Sequence, residues 1–156
     1  MLHIVKMVAT VFIFSGIFYC CKKSATIITL KPDVIFKATI SGASEIPPNT
    51  STGKGLATLT FNDNTKKYKV IVTWSGIQTG PPLSVWIEKG AVGVSGPPLF
   101  GIGFSNPISP LNDSTQIAID STQEADLKAN LYYVNFYTVD YPIQLGGEIR
   151  GQLIKQ

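Results

Sequence analysis

Apolar and polar side chains alternate along three segments in the first half of the chain. Residues 34–41, 57–61 and 67–74 each carry an apolar side chain at every second position, which is the period of a strand with one buried face. Residues 62–66, between the second and third segments, are rich in Asn, Thr and other turn-forming residues. The second and third segments are therefore predicted to form a β-hairpin.

Shorter strands and one helix are predicted in the rest of the chain. Residues 121–130 are the helical segment, because Ser121 and Glu124 have the spacing of a capping box ahead of apolar residues. Five further segments have strand composition, with Gly and Pro residues between them: 83–88, 99–104, 115–120, 132–138 and 148–154. About eight short strands and one short helix predict an all-β protein, an antiparallel Greek-key β-sandwich or barrel.

The start of the chain has the composition of a targeting segment. Lys6 precedes an apolar run over residues 7–19, which is too short to span a bilayer core of about 30 Å and is typical of a secretory signal. The following Cys20 and Cys21 resemble the lipobox of bacterial lipoproteins, in which a small residue precedes the cysteine that receives lipid. We expect lipid on Cys21, because Cys20 is small and Tyr19 is not. An ordinary signal peptide with cysteines in its tail is the alternative.

The chain is therefore expected to have three parts: a lipoprotein signal peptide at 1–20, a lipidated N-terminus and tether at 21–33, and one β-domain at 34–156. Two or more acyl chains would hold the mature protein at a membrane permanently. Lys22 resembles the residue at this position in lipoproteins sent to the outer membrane of Gram-negative bacteria. No acidic residue follows directly, which favours the periplasmic side of that membrane.

Composition argues against several classes of protein. Charged residues make up 15% of the chain, against about 25% in an average soluble protein, which excludes coiled coils and disordered tails. The net charge is +3, from 13 Lys and Arg against 10 Asp and Glu. The basic residues are scattered, so we expect no nucleic-acid partner.

Catalytic and metal chemistry lack the residues they need. Cleavage of the signal removes His3 and acylation occupies Cys21, so the mature chain has no histidine and no free cysteine. Copper and zinc sites use such side chains, and serine nucleophiles need a base. We therefore expect no catalytic residue, no metal and no cofactor, and a protein that is not an enzyme. Binding of calcium by carboxylates is an open alternative, although Asp120, Glu124 and Asp126 are better interpreted as the solvated start of a helix.

Several motifs resemble the CHRD domain, which is named after chordin. The resemblance runs in order over residues 34–154, from Glu-Ile-Pro-Pro at 45–48, through Gly-Pro-Pro-Leu-Phe at 96–100, to Gly-Gly-Glu-Ile-Arg-Gly at 146–151. It implies structural roles for the motif residues Glu45, Pro47, Pro48, Gly96, Gly147, Glu148 and Arg150.

Members of that family carry a His-x-His pair and a third histidine, a pattern similar to the ligands of copper/zinc superoxide dismutase. In this chain the pair falls on Trp86 and Glu88, and the third position falls on Tyr137. All three residues differ, so a histidine metal site is not carried over. A superoxide-dismutase-like metalloprotein, or its inactive remnant, is the alternative to a binding module.

Aromatic residues offer a candidate binding surface. Trp86 and Glu88 share one strand face, and Tyr133 and Tyr137 share a face of a later strand. If Trp86 and Tyr137 occupy paired family positions, they lie close together, and an exposed cluster beside Glu88 could stack on sugars or anchor a protein. Packing of Trp86 into the space of the missing histidines is the alternative.

The motif residues have structural interpretations as well. Glu148 and Arg150 share a strand face, which predicts either a recognition pair or an ion pair to a neighbouring strand. Glu45 is expected to hydrogen bond to backbone near Pro47, and Gly147 to lie in a turn or bulge. The sequence thus predicts a lipid-anchored, non-enzymatic binding or structural module with an unidentified protein or glycan ligand. A carbohydrate-binding module that uses Trp86 and Tyr137 is a further alternative.

Overall fold

The computed structural model of the protein describes residues 29–78 and 80–156. Within these residues it has nine strands, one α-helix and two 3-10 helices. The strands are β1 (Val34–Ser41), β2 (Lys54–Asn62), β3 (Lys67–Ser75), β4 (Ser84–Lys89), β5 (Pro98–Phe104), β6 (Leu111–Ala118), β7 (Tyr132–Tyr137), β8 (Ile149–Gln152) and β9 (Ile154–Lys155). Helix α1 spans Ser121–Lys128, and the 3-10 helices span Gly42–Ser44 and Ile143–Leu145.

The strands form one antiparallel sheet in the order β5-β4-β7-β8-β1-β2-β3-β6, with β9 paired to β1. The sheet curls into a nearly closed barrel. Strand β3 pairs with β6 and β4 pairs with β7, so two connections cross over the barrel ends, as in a Greek key. The predicted all-β, antiparallel architecture is confirmed.

The hydrophobic core fills the barrel and follows the predicted alternation. In β1, Phe36, Ala38 and Ile40 are buried, whereas Lys37 and Thr39 face solvent. Each large apolar side chain that leaves water contributes about 1.5–3 kcal/mol. A register slip by one residue would expose the whole buried set, so the alternation fixes the pairing of β1 with β2.

The most informative differences from the predicted strands are the start of β6 and the division of the last strand into β8 and β9. Strand β6 begins at Leu111, where polar residues pair with the buried part of β3. Because these residues are polar, the first half of β6 lacks the apolar alternation that predicts a strand. The last predicted strand splits in two because the chain changes partner: β8 pairs with β7, and β9 pairs with β1.

The predicted capping box of α1 is wrong by one residue. Asp120, not Ser121, is the N-cap. The Asp120 carboxylate accepts a hydrogen bond from the Gln123 backbone amide at 2.8 Å, and the Gln123 side chain accepts one from the Asp120 amide at 3.0 Å. Asp and Ser cap helices about equally well, so the spacing alone did not distinguish them.

The acidic residues of α1 have structural partners. Glu124 forms ion pairs with Lys128 at 2.6 Å and Lys66 at 2.9 Å, and Asp126 pairs with Lys89 at 2.6 Å. Hydrogen bonds from the two lysines lower the pKa of Glu124. These contacts fix α1 over one end of the barrel. None of the described helices is both long and apolar enough to cross a bilayer.

Candidate functional site

The face of β4, β7 and β8 that points away from the core carries polar and aromatic side chains, and most of them are buried. The register aligns Trp86, Asn135 and Arg150 in one row across the three strands, and aligns Glu88 with Tyr133 in the next. The intervening residues face the core. We call the buried members of this face, with one residue from the loop after β1, the polar layer: Glu45, Glu88, Tyr133, Asn135, Tyr137 and Arg150, each at most 6% exposed.

The β4–β5 loop covers one side of the polar layer. Arg150 donates from Nη2 to the backbone oxygens of Val94 at 2.8 Å and Ala91 at 3.4 Å. Its guanidinium lies 3.4 Å from the centre of the Tyr133 ring, a cation–π contact. The Tyr133 hydroxyl accepts from the Gly96 amide at 3.0 Å and donates to the Gly96 carbonyl oxygen at 3.3 Å. The loop and the layer therefore hold each other in place.

A second group of contacts surrounds Glu88. The Tyr137 hydroxyl donates to Glu88 Oε1, and Asn135 Nδ2 lies 3.4 Å from Glu88 Oε2. The same Nδ2 donates to the Gly146 carbonyl oxygen at 2.9 Å. Burial, with the hydrogen bond to Glu88, raises the pKa of Tyr137, and burial raises the pKa of Tyr133 to about 12. Both tyrosines are therefore protonated at neutral pH, and the Tyr137 hydroxyl supplies the buried Glu88 side chain with a hydrogen-bond donor.

Glu45 is the electrostatically unusual member of the polar layer. Burial raises its pKa to about 8; Arg150 opposes that shift, repulsion from Glu88 adds to it, and a hydrogen bond from the Ile46 amide opposes it. Glu45 Oε1 is buried without a hydrogen-bond partner in the described part of the chain. Glu45 is therefore mostly a neutral acid at pH 7.

Gly147 lets the polar layer close against the β7–β8 connection. It has a φ of +101°, and Gly146 before it has a φ of +92°, which places the pair in a turn. A Cβ on Gly147 would lie 2.3 Å from Asn135 Oδ1 and 3.0 Å from Glu45 Oε1. No side chain fits there, so the glycine is needed for space as well as for conformation.

Among the described residues, Glu148 does not form an ion pair with a basic residue of a neighbouring strand. Glu148 Oε1 accepts from the Ser51 hydroxyl at 2.7 Å and from the Gln78 amide at 3.1 Å. Arg150 has no carboxylate within 4 Å among residues 29–78 and 80–156. Positions i and i+2 of a strand are about 7 Å apart. Glu148 therefore bonds to the loops that contain Ser51 and Gln78, whereas Arg150 bonds to the β4–β5 loop.

A groove opens at the Arg150 side of the polar layer, over the outer face of β1 and β2. Its volume is about 960 Å³. Glu45 and Arg150 lie at the end of the groove next to Ser41 of β1, and the lining further along β1 and β2 includes Lys37, Thr39, Leu56, Val92 and Ile154. The two end residues are buried, whereas Leu56 is 60% exposed and Val92 is 74% exposed. Only the tertiary fold brings these segments together.

Comparison with known sequences agrees with the motifs. A sequence model of the CHRD domain matches residues 36–153. The chain belongs to the CHRD domain family. Searches of curated proteins and of solved structures gave no match. The motif residues Pro47 and Pro48 lie exposed in the turn after Glu45 of this CHRD domain, and the predicted signal peptide and Cys21 lie outside the described residues.

The positions where CHRD relatives were expected to carry histidine are only partly brought together. Glu88 and Tyr137 are hydrogen bonded. Trp86 instead donates from Nε1 to the Ser84 hydroxyl at 3.1 Å and packs edge-on against Phe104, with 5.2 Å between ring centres. In the described part of the chain, no group of three or more His, Cys, Asp or Glu side chains is placed to hold a metal ion.

The aromatic residues of the CHRD domain do not form an open platform. Trp86 is half-buried, and Glu88, Tyr133 and Tyr137 are buried. The interpretation of these four residues as an exposed stacking surface is therefore corrected. The loops cover their face of the sheet, and alternation within the strands cannot show that cover. The geometry favours the packing role for Trp86, and the groove is the better candidate for a binding site.

Proposed function

We propose that this CHRD domain is a non-enzymatic binding module, lipid-anchored in the bacterial cell envelope, whose ligand occupies the groove. One observation supports this most: the open groove ends at Glu45 and Arg150, each only 3% exposed. Burial of a guanidinium and a carboxyl group is unfavourable unless both are well compensated. Their place at the end of an accessible groove fits recognition better than a purely structural role.

The chemistry of the polar layer also fits recognition. It contains carboxyl, amide, phenol and guanidinium groups, but no Ser, Cys or Lys side chain to act as a nucleophile. Loop contacts hold Arg150 and Tyr133 in fixed orientations. Fixed donors lower the entropy lost when a ligand binds.

The two alternatives have less support. A superoxide-dismutase-like metalloprotein needs a cluster of ligands, and the described residues contain none of the kind expected. A sugar platform of Trp86 and Tyr137 needs both rings to be accessible, and Tyr137 is 6% exposed. The groove therefore remains the better candidate.

Anchoring is tested through the lipidation site. We expect Cys21→Ser to move the protein from the membrane fraction to the soluble fraction of cells, because the acyl chains supply the membrane affinity. Mass spectrometry of the wild-type N-terminus should show the added lipid. A variant that stays with the membrane as wild type does would contradict the anchor.

Groove binding is tested with a matched pair of exposed apolar residues. Leu56 of β2 lines the groove, whereas Ile71 lies on the outer face of β3, outside the groove, and is 42% exposed. On arrays of glycans and peptides probed with the Cys21→Ser protein, we expect Leu56→Asp to abolish saturable binding. Ile71→Asp should retain it. Binding that survives Leu56→Asp would place the ligand elsewhere.

A further inference from the structure

We propose that the groove takes a carboxylate with an aliphatic body, the carboxylate at the Glu45–Arg150 end and the body against Leu56, Val92 and Ile154. This inference rests on the proposed function, since it names the ligand class of the same groove. It follows from which groups at the groove end can donate hydrogen bonds, from the charge along the groove, and from its apolar walls.

Arg150 has N–H donors that no described residue accepts from. Its two hydrogen bonds within the described residues are both donated by Nη2. A guanidinium has five N–H groups, and those on Nε and Nη1 remain for a ligand. Tyr133 holds the guanidinium plane from one side. A carboxylate is the acceptor that matches two neighbouring N–H groups of arginine.

Glu45 adds a second donor at the same end. The charged groups that act on it are Arg150 from β8 and Glu88 from β4, and burial beside Glu88 outweighs the attraction of Arg150. The tyrosines of β7 are neutral, and Lys37 of β1 lies further along the groove. A neutral carboxyl group donates a hydrogen bond, whereas an ionised one only accepts. Both groups therefore favour a ligand that is an acceptor.

The charge along the groove points the same way. Among the described residues that line it, Glu45 is the one acidic side chain, and Lys37 and Arg150 are basic. With Glu45 neutral, the side chains of the groove are net positive. An anionic head is attracted to this end, and an ammonium head is repelled.

The rest of the groove is suited to an aliphatic body. Leu56, Val92 and Ile154 are 60%, 74% and 39% exposed, and an apolar ligand segment would remove part of that surface from water. The volume of about 960 Å³ lies within the usual range for small-molecule sites, about 300–1,000 Å³. A fatty acid and the carboxyl-terminal residue of a peptide share this chemistry.

The experiment titrates the Cys21→Ser protein with decanoate and with N-acetyl-leucine, and follows the Arg150 Nε–H signal by NMR. We expect saturable shifts with at least one probe at pH 6.5, and about tenfold weaker binding at pH 9, where Glu45 is ionised. Decanoate alone would identify the fatty-acid source, and N-acetyl-leucine alone the peptide source. Binding of neither, or tighter binding of decylamine, would overturn the proposal.

Two exposed lysines provide the matched control. Lys37 lies in the groove, and Lys69 of β3 lies outside it. Lys37→Glu should weaken carboxylate binding about tenfold, and Lys69→Glu should leave it unchanged. Equal effects would mean general charge attraction and would overturn the site. If array binding depends on Leu56 while no carboxylate binds, the groove function stands and only the ligand class fails.

Discussion

Gly147→Ala is expected to lower the free energy of unfolding by about 3 kcal/mol. Two causes add together. A side chain at positive φ costs about 1–2 kcal/mol, and the new Cβ would lie 2.3 Å from Asn135 Oδ1, which requires the buried polar layer to move. Denaturant unfolding monitored by tryptophan fluorescence measures the change.

Gly93→Ala is the matched control. Gly93 also has a positive φ, +80°, but a Cβ there meets nothing within 4 Å. Its substitution should therefore show the conformational cost alone, about 1 kcal/mol. Equal losses for the two variants would mean that Asn135 and Glu45 do not crowd Gly147, and that the polar layer is not arranged as described.

Glu45→Gln is expected to flatten the dependence of stability on pH between about 4.5 and 8. The native pKa of Glu45, about 8, is raised above its usual 4.5, so the folded state holds a proton that the unfolded state releases. Stability from this group is complete below pH 4.5 and is lost as the pH rises through 8. At about 1.4 kcal/mol per pKa unit, the wild type should lose several kcal/mol over this window.

The amide group introduced by Glu45→Gln does not ionise in this range, so the variant should lack this slope and should gain stability relative to wild type at pH 8–9. Glu124→Gln is the control. Because the pKa of Glu124 is lowered, this group changes the pH dependence of stability only at pH values below about 4.5. Unfolding curves at four or five pH values would decide. A wild-type slope that persists in Glu45→Gln would show that Glu45 is not the group responsible.

The barrel was predictable because its strands repeat a local pattern. Alternation in β1, β2 and β3 identified their buried faces, and the motif residues identified the family. The partner change between β8 and β9 was not visible, since it depends on which neighbours the barrel offers. The helix cap was missed because Asp120 and Ser121 are adjacent and both suit the position.

The candidate site was predictable only in part. Strand periodicity predicts that Glu88 shares a strand face with Trp86, and that Tyr133 shares one with Tyr137. It does not show whether a loop covers that face. The cover comes from residues far away in sequence, as the contacts of Arg150 with Val94 show. Glu45 was expected to make a local contact, and nothing in its neighbourhood in sequence signals that Glu88 and Arg150 lie near it.

The most direct test of a ligand site at the Glu45–Arg150 end of the groove is a carbon-detected NMR titration of the Glu45 carboxyl group, with and without decanoate or N-acetyl-leucine. The expected midpoint is near pH 8. It should rise further with the bound probe, because a second negative charge opposes ionisation. A midpoint near 4.5 that neither probe moves would contradict the site.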